Sequence, residues 1–138
     1  MANYGGATAF SRDLADGALD ERHLRQMTLG DQSLEREVLQ IFDRQIILML
    51  QRMAHAGPAH AAAAAHTLKG SALGLGAWRV ADAAERVEQA ATGLGDMSDA
   101  IAELDVAATE VRYAIETRLQ DAASDSFALF SRVSIYPA

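Results

Sequence analysis

The sequence predicts an all-α chain: an antiparallel, up-and-down four-helix bundle preceded by a short helix. Three observations predict it. Alanine, leucine, glutamate and arginine dominate, and the 138 residues include only two prolines, a composition that favours helix. Apolar residues recur at intervals of three and four along the longer segments, the period of a helix with one face in a core. The breaks between the last four segments are short, so successive helices should be antiparallel neighbours.

Residues 1–19 hold Gly, Ala, Asp and Ser without a sustained period and read as a mobile arm. A short helix is predicted from Asp20 to Met27, ending before the Thr28-Leu29-Gly30 turn. Asp31 is placed to cap a long second helix reaching about Ala56. Leu34, Val38, Ile41, Phe42, Ile46, Leu48, Met49 and Met53 follow the helical spacing there and are predicted to face the core. Gly57-Pro58 stops that helix, and Pro58 suits the first turn of a third, predicted to end near Leu73 because Gly74 and Gly76 weaken it. A fourth helix is expected from Ala77 to about Thr92, with Val80, Ala83, Ala84 and Val87 inward. Gly93-Leu94-Gly95 breaks it. Asp96 can cap a fifth helix to about Gln120, with Ile101, Leu104, Ala108, Val111, Ile115 and Leu119 on one stripe. The bundle thus spans residues 20–120. The tail at 121–138 carries Phe127, Leu129, Phe130, Val133, Ile135 and Tyr136 and is too apolar for a solvated linker.

Composition narrows the function. The formal charge is −7 and the pI about 4.9, a surface that nucleic-acid phosphates would repel. There is no cysteine, so disulfides and thiolate metal sites are excluded. No segment approaches the roughly 20 apolar residues of a membrane span, and no basic region leads into an apolar stretch at the N-terminus, so a cytoplasmic protein is expected. His55, His60 and His66 lack the spacing of a metal site: His60 and His66 are six residues apart, off a common helical face, with no carboxylate one turn from either. No metal or cofactor is expected.

The segment Ala65-His66-Thr67-Leu68-Lys69-Gly70-Ser71 carries the chemistry. On a helix, Ala61, Ala64, Ala65, Leu68, Ala72 and Leu75 form the core stripe, and His66 lies roughly 150° from its centre, at 3.6 residues per turn. Around His66 on the outer face stand Ala59, Ala62, Ala63, Lys69, Gly70 and Leu73. A solvated helix face is normally rich in Glu, Lys, Gln and Arg. This one is a bare patch around an imidazole with one cation a turn away. Neutral imidazole is a competent nucleophile near pH 7, and phosphoryl transfer is mainly positioning and charge neutralisation. Lys69 can reach phosphoryl oxygens on His66, while Gly70 and the alanines admit another protein's active site. No Gly-rich phosphate loop or magnesium-binding carboxylate pair is evident. The chain can accept a phosphoryl group but has no means of drawing one from ATP, so no autonomous kinase activity is expected.

The stretch AHTLKGSALGLGA resembles the signature of the histidine phosphotransfer (HPt) domain: a reactive histidine, Lys-Gly three and four residues on, and a glycine ten residues on, matched by His66, Lys69, Gly70 and Gly76. The similarity extends upstream through LRQMTLGDQSLEREVLQIF, including Phe42, and downstream through RVADAAERVEQAA, over roughly residues 22–117. The resemblance implies a four-helix bundle and phosphorylation at the histidine Nε2. Its implied partners are the receiver domains of response regulators and hybrid sensor kinases. It also implies that Glu88, twenty-two residues after His66, lies beside it from the next helix and orients it. The alternative is a bundle of the same fold that binds a receiver or kinase without carrying phosphate; the retained His66, Lys69 and Gly70 speak against it. A sensor-kinase dimerisation domain would build its bundle from two chains. Four long helices in one chain favour a monomer.

Overall fold

The computed structural model describes the backbone of residues 16–133 and the side chains of residues 17–121. After a single 3-10 turn at Asp16–Ala18 come five helices: α1 (Glu21–Met27), α2 (Gln32–His55), α3 (Pro58–Leu75), α4 (Trp78–Ala91) and α5 (Met97–Val133). The fold is the expected all-α bundle of four long helices with a short leading helix. α3 packs between α2 and α4, and α5 closes the bundle against both α4 and α2.

The helix starts follow the capping logic of the sequence. Asp20 accepts from His23 N–H at 3.0 Å, Asp31 from Leu34 N–H at 3.0 Å, and Asp96 from Asp99 N–H at 2.9 Å, each satisfying a donor that the first helical turn leaves free. Pro58 occupies the first turn of α3, where its missing N–H costs nothing. The core is built from Leu39, Phe42, Ile46, Leu68, Val80, Val87, Leu104, Val111 and Ile115 with a large complement of alanines from α3, α4 and α5. Ion pairs lash its outside: Arg112 to Asp43, Arg79 to Glu110, and Arg86 to Glu103. Arg118 on α5 grips Glu21 of α1 and Glu35 of α2 together. The two carboxylates around it outweigh partial burial and hold the Arg118 guanidinium pKa above its ordinary value.

Three boundaries differ from the sequence expectations. Residues 1–15 of the expected arm lie outside the described residues, but Ala18 and Leu19 at its end are buried in the core; the segment is too short to show a period. α3 runs two residues past Leu73, through Gly74 to Leu75. α5 continues beyond Gln120 to Val133, since nothing in that stretch breaks a helix. The side chains of the apolar tail residues lie outside those described.

On α2 the apolar residues divide. Leu39, Phe42, Ile46, Met49 and Met53 are buried, whereas Leu34, Ile41 and Leu48, predicted as core, are 40%, 57% and 45% exposed. These three are seven residues apart, so each step turns the stripe about 20° further from a straight line along the helix. Met27, at the end of α1, is exposed as well.

Gly76 ends α3 in the left-handed conformation, φ +87°, with its N–H on the Ala72 carbonyl. Its own carbonyl accepts from Asp20 N–H at 2.9 Å, which fastens the start of α1 to the end of α3. A Cβ there would meet the Cβ atoms of Asp20 at 3.0 Å and His23 at 3.1 Å. Gly76→Ala combines positive-φ strain with this crowding and should destabilise the fold by about 1–3 kcal/mol. Urea unfolding would show it as a lower midpoint at unchanged slope; an unchanged midpoint would mean that the α1–α3 junction yields freely.

Candidate functional site

His66 sits near the middle of α3, an alanine-rich helix packed between α2 and α4. Its core side, Ala61, Ala64, Ala65, Leu68, Ala72 and Leu75, is buried as the periodicity predicted. The imidazole is accordingly turned outward, 71% exposed. Ala59, Ala63, Gly70 and Leu73 are exposed around it, while Ala62 and Lys69 are half-buried toward α4. His66 lines none of the larger surface cavities among the described residues; a groove of about 710 Å³ lies instead between α2 and α5, lined by residues such as Arg36, Asp43 and Arg112. The histidine is presented on an open surface.

α4 brings Glu88 against α3. Its Oε2 lies 2.8 Å from His66 Nδ1 and its Oε1 lies 2.7 Å from Lys69 Nζ. A carboxylate only accepts, so Nδ1 must be the donor and the proton of the neutral imidazole sits there. The Nε2 lone pair then points away from Glu88, and among the described residues nothing else bonds to it. Glu88 Oε1 is buried and makes no hydrogen bond of good geometry; the Lys69 ammonium beside it supplies neutralising charge.

The two charges hold each other. Partial burial acts to raise the Glu88 pKa, but Lys69 and then His66 outweigh it, and the carboxyl titrates below its ordinary 4.5. The close contact with the Glu88 carboxylate raises Lys69 above its ordinary value, against a smaller effect of desolvation. Both groups are therefore charged throughout the neutral range. Because the folded-state pKa of Glu88 is depressed, its contribution to stability is present above the unfolded carboxylate pKa. It is lost as pH falls through the lower folded value.

Gly70 has no conformational reason to be glycine. A Cβ added there would meet nothing within 4 Å, and it lies within the helix rather than at its end. Glycine in a helix interior costs about 1 kcal/mol relative to alanine, and nothing among the described residues repays it. Gly74 differs, since its added Cβ would reach Met27 at 3.5 Å.

Two further features went unread in the sequence. The Arg36 and Asp43 positions of α2 face α5, through Arg36 to the Leu119 carbonyl and Asp43 to Arg112. Leu34, Ile41 and Leu48 lie roughly 160° around α2 from them, on the flank beside α3. An apolar stripe therefore runs alongside the bare face that carries His66. The seven-residue spacing of these residues was the available signal. The second feature is His23, to which the sequence assigned no role. Its Nε2 pairs with the Gly74 carbonyl at 3.0 Å, and its ring packs edge-on against Trp78 at 4.9 Å. Trp78 Nε1 donates to Asp20 at 3.0 Å, so the tryptophan closes the end of the bundle at the α1–α3 junction.

The sequence model of the Hpt domain family matches residues 32–125. Comparison with curated proteins and with solved structures gave no significant match. Among the described residues no helix is long and apolar enough to cross a membrane, and no three metal-ligating side chains cluster.

Proposed function

Because the chain belongs to the Hpt domain family, whose members are phosphocarriers of two-component signalling rather than kinases, we propose that it takes a phosphoryl group onto His66 from one receiver-domain aspartate and passes it to another. The observation that carries this reading is the outward His66 with its Nδ1 proton committed to Glu88 at 2.8 Å, which leaves Nε2 as the nucleophile. Attack of Nε2 on an acyl phosphate forms the N–P bond as the P–O bond to the aspartate breaks, its electron pair returning to the carboxylate. The reverse step delivers the group onward. Lys69 is the cation that offsets charge on the transferred phosphoryl oxygens. Ala59, Ala62, Ala63, Gly70 and Leu73 admit the receiver, and Leu34, Ile41 and Leu48 extend the docking surface with apolar area. The chain acts as a monomer in the cytoplasm.

Incubation with a phosphorylated receiver domain tests the proposal. Label should move to this chain as an acid-labile, base-stable adduct, and none should move from ATP alone. Persistent absence of label with receivers encoded beside it would reject the reading.

Gly70→Gln separates docking from folding. The side chain enters open space, so the helix should gain up to about 1 kcal/mol. The same side chain obstructs the receiver, and transfer at sub-saturating partner should fall about tenfold, corresponding to a loss of about 1.4 kcal/mol of binding. A variant that is more stable and equally fast would place the docking face elsewhere.

A further inference from the structure

One long stretch of the chain carries no carboxylate. Residues 44–81 hold Arg44, Arg52, Lys69 and Arg79 but neither Asp nor Glu, where an even spread of the 19 acidic residues would place about five. Their formal charge is +4 with histidines neutral, against −11 for the other 100 residues, which together give the −7 of the whole chain. The stretch comprises the second half of α2, all of α3 and the first turn of α4. Resting on the carrier reading above, we propose that the C-terminal half of α2 is a cationic docking subsite in which Arg44 and Arg52 take carboxylates bordering the receiver's phosphoaspartate, and so fix which way round the receiver lands.

Two of the four cations are already committed, Lys69 to Glu88 and Arg79 to Glu110. Arg44 and Arg52 are exposed and form no ion pair among the described residues. Both border the apolar stripe of α2. Arg52 stands eighteen residues after Leu34, five full turns and hence the same line of the helix. Arg44 lies one turn after Ile41 and one turn before Leu48. The other end of the stripe has the opposite sign, because Glu37 lies one turn from both Leu34 and Ile41. The flank is therefore polarised along α2, acidic beside Leu34 and cationic beyond Ile41.

Arg52 also looks onto α3. With His55 and His60 it lines a cavity of about 480 Å³ whose α3 wall includes Ala63 and Thr67, one turn before His66 and one residue after it. Helix-end electrostatics explains His55, whose Nδ1 donates to the Gln51 carbonyl at 2.9 Å in the last turn of α2. It does not explain Arg44 in mid-helix or the missing carboxylates. A phosphoaspartate and its surroundings are anionic, and so is most of this chain. Exposed charges farther apart than about 8 Å are largely screened at physiological salt, so the receiver responds to the charges nearest its landing site. The carboxylate nearest His66, Glu88, is balanced by Lys69 at 2.7 Å. A receiver carboxylate over the C-terminal half of α2 meets an unpaired guanidinium. With the receiver turned end for end, it would meet Glu37.

The test uses the phosphorylated receiver that transfers fastest to the full chain in the assay above. At low ionic strength and sub-saturating partner, transfer should slow about threefold in Arg52→Gln and about tenfold in Arg52→Glu, with Arg44→Glu changing in the same direction. The loss should vanish at saturating partner. Raising the salt to about 1 M, where the Debye length is about 3 Å, should bring wild type and variants together. Arg86→Gln removes a cation from the α4–α5 side and controls for overall charge; it should transfer like wild type. Urea midpoints should stay near wild type, and if Arg52→Glu fails to fold, Arg52→Gln carries the comparison. Equal low-salt rates for wild type and the Arg52 variants would overturn the proposal. So would a deficit that survives about 1 M salt, or an equal deficit in Arg86→Gln. Each of these leaves the carrier reading standing, whereas transfer from no receiver would overturn both.

Discussion

A His66→Gln protein is expected to take up no phosphoryl group and to keep its fold. The first half follows from chemistry, since an amide nitrogen has no nucleophilic lone pair to replace Nε2. The second follows from burial. The imidazole is 71% exposed and its one side-chain hydrogen bond, to Glu88, is made at the surface. Losing that bond should cost about 1 kcal/mol or less. Helicity and the urea midpoint should therefore stay close to wild type while label from a phosphorylated receiver disappears. Label retained at wild-type level would remove His66 from the centre of the mechanism. A midpoint lowered by several kcal/mol of stability would make it a structural residue instead.

The second large effect is expected at Lys69. Removing its ammonium takes away the cation that offsets phosphoryl charge, and it also unmasks Glu88. The buried Oε1 would lose the 2.7 Å partner that neutralises it. The incoming phosphoryl group would then meet an uncompensated carboxylate next to its acceptor. Loss of one group that stabilises transition-state charge costs about a hundredfold or more in enclosed sites, and solvent screening reduces that at a surface. Lys69→Ala should transfer about ten to a hundred times more slowly at saturating partner. Glu88→Ala should be impaired less and Glu88→Gln least. A Lys69→Ala protein faster than Glu88→Ala would reverse the assignment of the two charges.

The acceptor helix was legible in the sequence because a single stripe of Ala and Leu leaves His66 only one direction to point. The helix caps were legible for a similar reason: Asp20, Asp31 and Asp96 act within three residues of themselves. α2 was not fully legible. Its apolar residues satisfy the helical period on two adjoining flanks, and the period alone does not say where the neighbouring helix stops covering them. Leu34, Ile41 and Leu48 were assigned to the core on that account. Ala18, Leu19 and His23 were missed because their partners, the Gly74 carbonyl among them, come from distant parts of the chain. The bond between Glu88 and His66 belongs to the same long-range class. It spans twenty-two residues and two helices, and only the family resemblance pointed to it. The sequence reading assigned Lys69 and Glu88 separate tasks at His66, whereas the fold joins them into one ion-paired unit.

The bare face around His66 has a consequence for how long a complex on it lasts. Covering a Lys, Glu, Gln or Arg side chain freezes rotamers at a cost of about 1.5–2 kcal/mol each, whereas Ala and Gly have no rotamers to lose. A receiver landing on Ala59, Ala63 and Gly70, all exposed, therefore orders little that was free. The contact can form from a small apolar area without first overcoming a side-chain entropy penalty. Because few contacts are needed to hold it, few need break to release it. Such a surface suits short-lived encounters with successive partners better than it suits a lasting assembly.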